Sequence, residues 1–206
     1  MDFAALDALF WQSDYADGYG KVYRVRSAII DAMGTRTSQV YKYCIKNRAR
    51  AMPFQGVQRL SIPVDYTNLE YFRDEKGGKI KIPGGLILVR GDATFFKNDL
   101  ADKLNIATGD PGAYHLHSND KGELNQYAKE LCAEVWSTEK NAWINPHGRD
   151  NHFWDCAYMN LVHAYHLGIR NWRVPGSEAP KPPRPEQRRP EKISVGDRLA
   201  NARRFK

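Results

Sequence analysis

The strongest constraint on the fold of this chain is that short apolar runs of strand length alternate with segments of helical periodicity. The runs 28–30 and 85–89 are short and rich in branched residues, which is typical of buried strands. In the segments that follow them, apolar residues recur every three or four positions, which predicts amphipathic helices. Strands that alternate with helices indicate an α/β fold.

The same patterns give expected bounds for the individual elements. We predict helices over 3–16, from 37 onward, over 93–104, over 123–138 and over 151–167, and strands over 22–30, 52–54 and 85–89. The segment 58–83 is expected to be a loop, because prolines and glycines interrupt it.

The positive charge of the chain is concentrated at its C-terminal end. The 206 residues carry a formal net charge of +7, from 31 Lys and Arg against 24 Asp and Glu. Residues 173–206 hold ten of the basic residues, four of the acidic residues and six of the eleven prolines, so 1–172 is nearly neutral. We predict a folded domain over 1–172 and a disordered basic, proline-rich tail over 173–206, which has too few apolar residues to offset the entropy of ordering.

The sequence gives no sign of a membrane segment or of a zinc site. No apolar run reaches the roughly 18 residues of a transmembrane helix, and the first residues do not form a secretory signal. We therefore expect a cytoplasmic protein with no membrane partner. No pair among the six His residues has a third ligand at a recognised zinc spacing, so a zinc protein is the weakest hypothesis.

Asp31 directly follows the apolar strand and precedes a turn of small residues. That position is the C-terminal edge of a sheet, where α/β folds place their ligands. The local pattern alone favours a second interpretation, in which the carboxylate accepts hydrogen bonds from nearby backbone N–H groups in the turn.

Asp155 lies inside an apolar helical segment, between Trp154 and Cys156. A carboxylate in such surroundings is expected to be partly buried and to need a partner. The partner is a basic residue, a helix-end N–H group or a metal ion. Two separated carboxylates without a Cys or His chelate favour a hard ion such as Mg²⁺.

Several segments, in order along the chain, resemble the nuclease domain of the large terminase subunit of tailed phages, in its lambda-like GpA branch. They cover about residues 5–168. The matching segments are 29–44, with an apolar strand ending in Asp and a Val-Tyr helix; 52–56; 91–104, with Asp, a small residue and Lys; 111–116, with Pro-Gly and His; 131–134, similar to Leu-Thr-Ala-Glu; and 149–156, similar to Arg-x-Asn-Glu-x-Leu-Asp-Cys.

The resemblance implies an RNase H-like mixed sheet flanked by helices and a site for two Mg²⁺ or Mn²⁺ ions. By motif, Asp31 and Asp155 are the catalytic and metal-binding acids. His152 stands where the family has Glu and is a further candidate metal ligand. The residues expected to contact DNA are Lys97 and Arg149 in the matching segments and Arg188, Arg189, Arg203 and Arg204 in the tail.

The family pattern also contains strands before the helix predicted over 3–16, and the first of them carries another catalytic Asp. We therefore expect a sheet without its first strands, a metal site without one acid, and an apolar edge at the strand 22–30. Three explanations are open: an inactive prophage remnant, one half of a split terminase completed by another chain, and a start placed late in the gene.

The leading hypothesis is a terminase nuclease portion, encoded by a phage or prophage, that cuts concatemeric viral DNA in the bacterial cytoplasm. Its expected partners are double-stranded DNA and, by resemblance, the small terminase subunit, the portal protein or a complementary N-terminal terminase chain. The alternative is a non-catalytic DNA-binding or assembly module that acts through the basic tail.

Overall fold

The computed structural model describes residues 3–116 and 123–172. The chain divides into two compact units, Met1–Arg170 and Asn171–Lys206, and the elements that position the candidate site belong to the first. The predicted tail 173–206, with Arg188, Arg189, Arg203 and Arg204, lies outside the described residues. In the described part of the chain, no helix is both long and apolar enough to cross a membrane.

The described unit alternates strands and helices. The strands are β1 (Tyr15–Ala16), β2 (Val22–Tyr23), β3 (Ala28–Asp31), β4 (Ala51–Val57), β5 (Val64–Arg73), β6 (Lys79–Asp92), β7 (Val135–Ser137) and β8 (Ala142–Ile144). The helices are α1 (Ala4–Asp7), continued by a π-helical segment Ala8–Gln12, α2 (Thr37–Lys46), α3 (Ala93–Asn105), α4 (Glu123–Leu131) and α5 (His152–His166), with a 3₁₀ turn at Ile169–Asn171.

The central sheet is mixed, with strand order β3-β4-β6-β5. β3, β4 and β6 are parallel, and β5 is antiparallel to β6. Asp31 pairs with Phe54 and Val57 pairs with Asp92, so the parallel strands end at one side of the sheet, here called the carboxyl edge. β3 forms one outer edge of this sheet.

Helices cover both faces of the sheet, which confirms the predicted α/β class. On one face, α3, α4 and α5 enclose a core that includes Phe54, Leu100 and Trp154. On the other face, α2 packs on the sheet around Tyr41 and Phe72. The RNase H-like assignment within this class stays a prediction.

The expectation of a loop over 58–83 is wrong, because β5 and the first part of β6 occupy most of it. Pro83 is tolerated within β6 because the strand is irregular there. Gly84 and Gly85 have φ values of 75° and 67°, and the pairing register shifts between Leu69 and Tyr71. A bulge of this kind is one of the few places in a sheet that accept proline.

Three other predicted elements have different bounds in the structure. The helix predicted over 123–138 ends at Leu131. The last part of the predicted range forms β7, which pairs with β8 in a hairpin. The strand predicted over 22–30 is divided into β2 and β3, and β2 pairs only with β1. The helix predicted over 3–16 ends at Gln12 for the same reason, since Tyr15 and Ala16 are needed as the partners of β2.

Gly91 in β6 lies where the sheet backbone approaches α5 most closely. A Cβ atom on Gly91 would be 2.9 Å from Val162 Cγ2 and 3.0 Å from Phe54 Cε2, and both side chains are buried in the core. We expect Gly91→Ala to lower the free energy of unfolding by about 1–3 kcal/mol, because the core has to shift to admit the methyl group. Urea unfolding measures this change. The matched control is Gly34→Ala, where no atom lies within 4 Å of the new methyl group; equal losses in the two variants would contradict the prediction.

Candidate active site at the carboxyl edge of the sheet

Asp31 is the last residue of β3 and its side chain is exposed at the carboxyl edge. Its Oδ1 accepts a hydrogen bond from the backbone N–H of Met33 at 3.0 Å. Asp31 therefore accepts a backbone hydrogen bond in the turn, as the second interpretation of the sequence expected. This hydrogen bond uses one carboxylate oxygen, and the exposed side chain remains accessible to a ligand.

Lys97 lies on α3 and places an ammonium group between two carboxylates. Its Nζ donates to Glu134 Oε1 and Oε2 at 2.9 and 2.8 Å and lies 3.0 Å from Asp155 Oδ1. The residue is only 9 % exposed. We call Lys97, Glu134 and Asp155 the Lys97 cluster. It joins α3, the segment after α4, and α5.

The DNA contact predicted for Lys97 stays a prediction. In the structure, its ammonium group is paired with two protein carboxylates. The physical reason is charge balance: two carboxylates in a partly buried site need a cation, and Lys97 supplies it. Of the partners considered for Asp155 from the sequence, the structure shows the basic residue, which is Lys97.

Glu134 is the site residue that sequence reasoning missed. Its carboxylate accepts hydrogen bonds from Asn151 Nδ2 at 2.7 Å and Trp154 Nε1 at 3.0 Å, besides those from Lys97. The signal was present in the sequence, since Glu134 ends the segment 131–134 that resembles Leu-Thr-Ala-Glu. An acid that follows a segment with buried residues, here Leu131 and Ala133, needs hydrogen-bond donors or a cation as partners. Only the fold identifies these partners.

Asp155 lies in the first turn of α5 and is half-buried. Partial burial raises its pKa above the usual carboxyl value, the ammonium of Lys97 lowers it, and the negative charges of Glu134 and Asp31 raise it. Burial also raises the pKa of the Tyr158 hydroxyl, with the charges of Asp155 and Asp31 adding to the effect. Asp31 and Asp155, which are far apart in sequence, therefore lie in one electrostatic neighbourhood.

Glu130 supports this arrangement from α4. It is buried, and its Oε2 accepts a hydrogen bond from the backbone N–H of Phe153 at 3.1 Å, in the first turn of α5. A carboxylate there satisfies a free amide and interacts favourably with the positive end of the helix dipole. Glu130 thereby fixes the end of α5 that carries Asp155.

Arg149 and His152 lie beside the start of α5, and both are exposed. The backbone N–H of Arg149 donates to Asn145 Oδ1 at 3.0 Å, which orders the turn before the helix. The roles predicted for them, DNA contact for Arg149 and metal binding for His152, stay predictions.

The donors at the carboxyl edge have the chemistry of a hard-cation site, because carboxylate oxygens are the ligands that Mg²⁺ and Mn²⁺ prefer. Asp31 and Asp155 are the residues that would hold an ion. Glu134 already shares the ammonium of Lys97 with Asp155. Within residues 3–116 and 123–172, no three or more His, Cys, Asp or Glu side chains are grouped so that they could hold a metal. The number of ions, two by the resemblance, stays a prediction.

Fold and site together define an α/β domain with acidic side chains gathered at the carboxyl edge of a mixed sheet. A family model for the endonuclease domain of the terminase large subunit gpA matches residues 1–174. The chain belongs to this family of DNA-packaging nucleases, whose substrate is DNA. Comparison with curated proteins and with solved structures found no match.

Proposed function

We propose that this chain hydrolyses phosphodiester bonds of double-stranded viral DNA during packaging, with Asp31 and Asp155 as the catalytic acids and Mg²⁺ or Mn²⁺ as cofactor. The observation that carries the proposal is the placement of Asp31 at the end of β3 and of Asp155 in the Lys97 cluster at the start of α5. The negative charge of Asp31, which raises the pKa of Asp155, supports it. Family membership supplies the reaction class.

Each acid has a distinct part in the proposed site. Asp31 is exposed and offers its carboxylate to a cation. Asp155 is held by Lys97 through Oδ1 and by Asn151 through Oδ2 at 3.2 Å, so its position is fixed before any ligand binds. Lys97 also opposes the rise in the Asp155 pKa that burial causes, and so favours the charged form.

A divalent cation bound by these acids would stabilise charge on the attacking and leaving oxygens of the phosphodiester. Arg149 and His152 are exposed at the same helix end. We propose that Arg149 binds a flanking phosphate and that His152 is a further ligand of the cation. Full packaging activity would involve the small terminase subunit, the portal protein or a complementary terminase chain.

The proposal is tested with the full chain and supercoiled plasmid DNA. We expect nicked and linear products with Mg²⁺ or Mn²⁺ and none with excess EDTA. Carboxylates alone provide no Lewis acid to stabilise the charge that develops on the phosphate oxygens. Circular dichroism before and after the assay verifies that the chain is folded. Cleavage that is insensitive to EDTA would overturn the proposed cofactor. A folded chain that binds DNA but never cleaves it would instead support the alternative of a binding module.

A further inference from the structure

The end of the β5–β6 hairpin carries a basic surface. It lies within the segment 58–83, for which the sequence predicted a loop. Arg73 pairs directly with Lys79, and Tyr71 pairs directly with Lys81. Directly paired residues of antiparallel strands project on the same side, and so do alternate residues of one strand. These four side chains therefore share one face, which we call the hairpin face.

The opposite side of the same hairpin is attached to the core. Phe72 and Ile82 are 7 % and 2 % exposed and pack in the cluster that contains Tyr41 of α2. The hairpin face is exposed at all four of its residues. It is thus a supported surface with a fixed orientation.

The charges on this face are not neutralised by the part of the chain that the structure describes. Arg73 lies opposite Lys79, a like-charge pairing that costs stability in a sheet. No carboxylate in 3–116 or 123–172 forms an ion pair with Arg73, Lys79 or Lys81.

The nearby acids have other partners. Asp74 Oδ1 accepts the backbone N–H groups of Lys76 and Gly78, at 3.0 and 2.6 Å, and Glu75 accepts from Gln39 Nε2 at 3.2 Å. None of these contacts is with a basic side chain of the hairpin face. Arg73 Nη1 donates to the carbonyl oxygen of Gly77 at 3.2 Å, which leaves its other N–H groups for a ligand. Lys79 Nζ lies 4.1 Å from the ring centroid of Tyr71, which holds this ammonium over the face.

We infer that the hairpin face of Arg73, Lys79, Lys81 and Tyr71 is a binding site for the phosphates of duplex DNA, separate from the carboxyl edge. A two-stranded ribbon with exposed cations fits a duplex, because the major groove admits such a ribbon and phosphates line both sides of it. This inference deepens the proposed function and rests on DNA being the substrate.

The distance along the sheet allows one duplex to reach both places. β6 runs from Lys79 at the hairpin to Asp92 at the carboxyl edge. At about 3.3 Å per residue that strand is roughly 40 Å long, slightly less with the bulge. A duplex advances about 35 Å in one helical turn. The hairpin face would therefore hold DNA about one turn away from the acids.

The test compares two triple variants of the full chain. One combines Arg73→Ala, Lys79→Ala and Lys81→Ala. The matched control combines Lys129→Ala, Lys140→Ala and Arg170→Ala, which remove the same charge from exposed positions elsewhere in the same unit. Binding to a 30-base-pair duplex is measured in EDTA over a range of salt concentrations, so that cleavage does not interfere.

We expect the slope of log affinity against log salt to fall by about 2–3 in the hairpin variant, since each phosphate contact contributes about 0.9. The control variant should change the slope by less than one. Equal slopes in the two triple variants would overturn the inference. Both variants should unfold at nearly the wild-type temperature, because all the replaced side chains are exposed.

Two further readouts separate this inference from the proposed function. Lys79 and Lys81 should be protected from an amine-reactive reagent when the duplex is added, while Lys129 and Lys140 keep their reactivity; unprotected hairpin lysines would overturn the inference. Plasmid cleavage with Mg²⁺ is assayed in parallel. If the wild-type chain cleaves DNA and the hairpin variant binds it as the control does, only the binding site is refuted. If the hairpin variant binds more weakly but the wild-type chain never cleaves, only the proposed nuclease activity is refuted.

Discussion

Asp31→Asn is expected to lower the metal-dependent rate of plasmid cleavage by at least about 100-fold, because losing even an outer-shell partner of a metal site costs 10–100-fold. The replacement keeps the side-chain shape and removes the charge that attracts the cation. The asparagine Oδ1 can still accept the hydrogen bond from Met33 N–H, so the turn is preserved. The free energy of unfolding should therefore change by less than about 0.5 kcal/mol, as for other exposed positions.

The control for this variant is Asp102→Asn, which removes one exposed carboxylate from α3 away from the proposed site. We expect it to cleave at the wild-type rate. Asp155→Asn should lose as much activity as Asp31→Asn, while Lys97 keeps Glu134 as a charged partner. Full activity in Asp31→Asn, with the fold intact, would remove Asp31 from the catalytic site.

Lys97→Met is expected to lower the free energy of unfolding by about 3–5 kcal/mol, the usual cost of removing one partner from a buried ion pair. Methionine fills a similar volume, so the loss is electrostatic and not a cavity effect. Glu134 and Asp155 would then face each other without the cation that lies between them. Urea unfolding at neutral pH measures the change.

The pH dependence identifies the cause of that loss. Burial raises the pKa of Asp155, and Lys97 opposes the rise, so removing Lys97 raises this pKa further. A carboxyl whose pKa is higher in the folded state than in the unfolded state loses stability as the pH rises through the interval between the two values. The deficit of Lys97→Met is therefore largest at neutral pH and shrinks toward about pH 4, where carboxyl groups begin to protonate.

The matched control is Lys103→Met, which breaks the more exposed pair with Asp99 on the same helix. We expect a loss below about 1 kcal/mol, as for other surface ion pairs. A similar loss in both variants, or a Lys97→Met deficit that is independent of pH, would show that the Lys97 cluster does not stabilise the fold through its charges.

Local patterns in the sequence were sufficient to predict the helices and strands that have strong periodicity. α3 and α5 have nearly the predicted bounds, and β3 ends at Asp31, one residue after its apolar run. β5 and the start of β6 were missed because their Pro and Gly residues indicate turns locally, whereas in the sheet a long antiparallel pairing and a bulge accommodate them. The strand conformation of these residues is therefore determined by pairing across the sheet and not by the conformational preferences of single residues.

The candidate site shows the same limit. Asp31 and Asp155 could be singled out because each breaks an apolar pattern. The partnership of Lys97 with Glu134 joins residues 37 positions apart, so no local spacing reveals it. A basic residue in a nuclease motif predicts a contact with phosphate, and only the fold shows that Lys97 is also buried.

The layout of charge along β6 has a consequence for how the domain meets its substrate. The strand joins the exposed cations of the hairpin face to the carboxyl edge, where Asp31 ends β3, so charges of opposite sign lie toward its two ends. In the field of a polyanion such a body experiences a torque as well as a force. It should turn its hairpin toward DNA while still approaching, and the acidic end should come close last, once divalent cations have screened it.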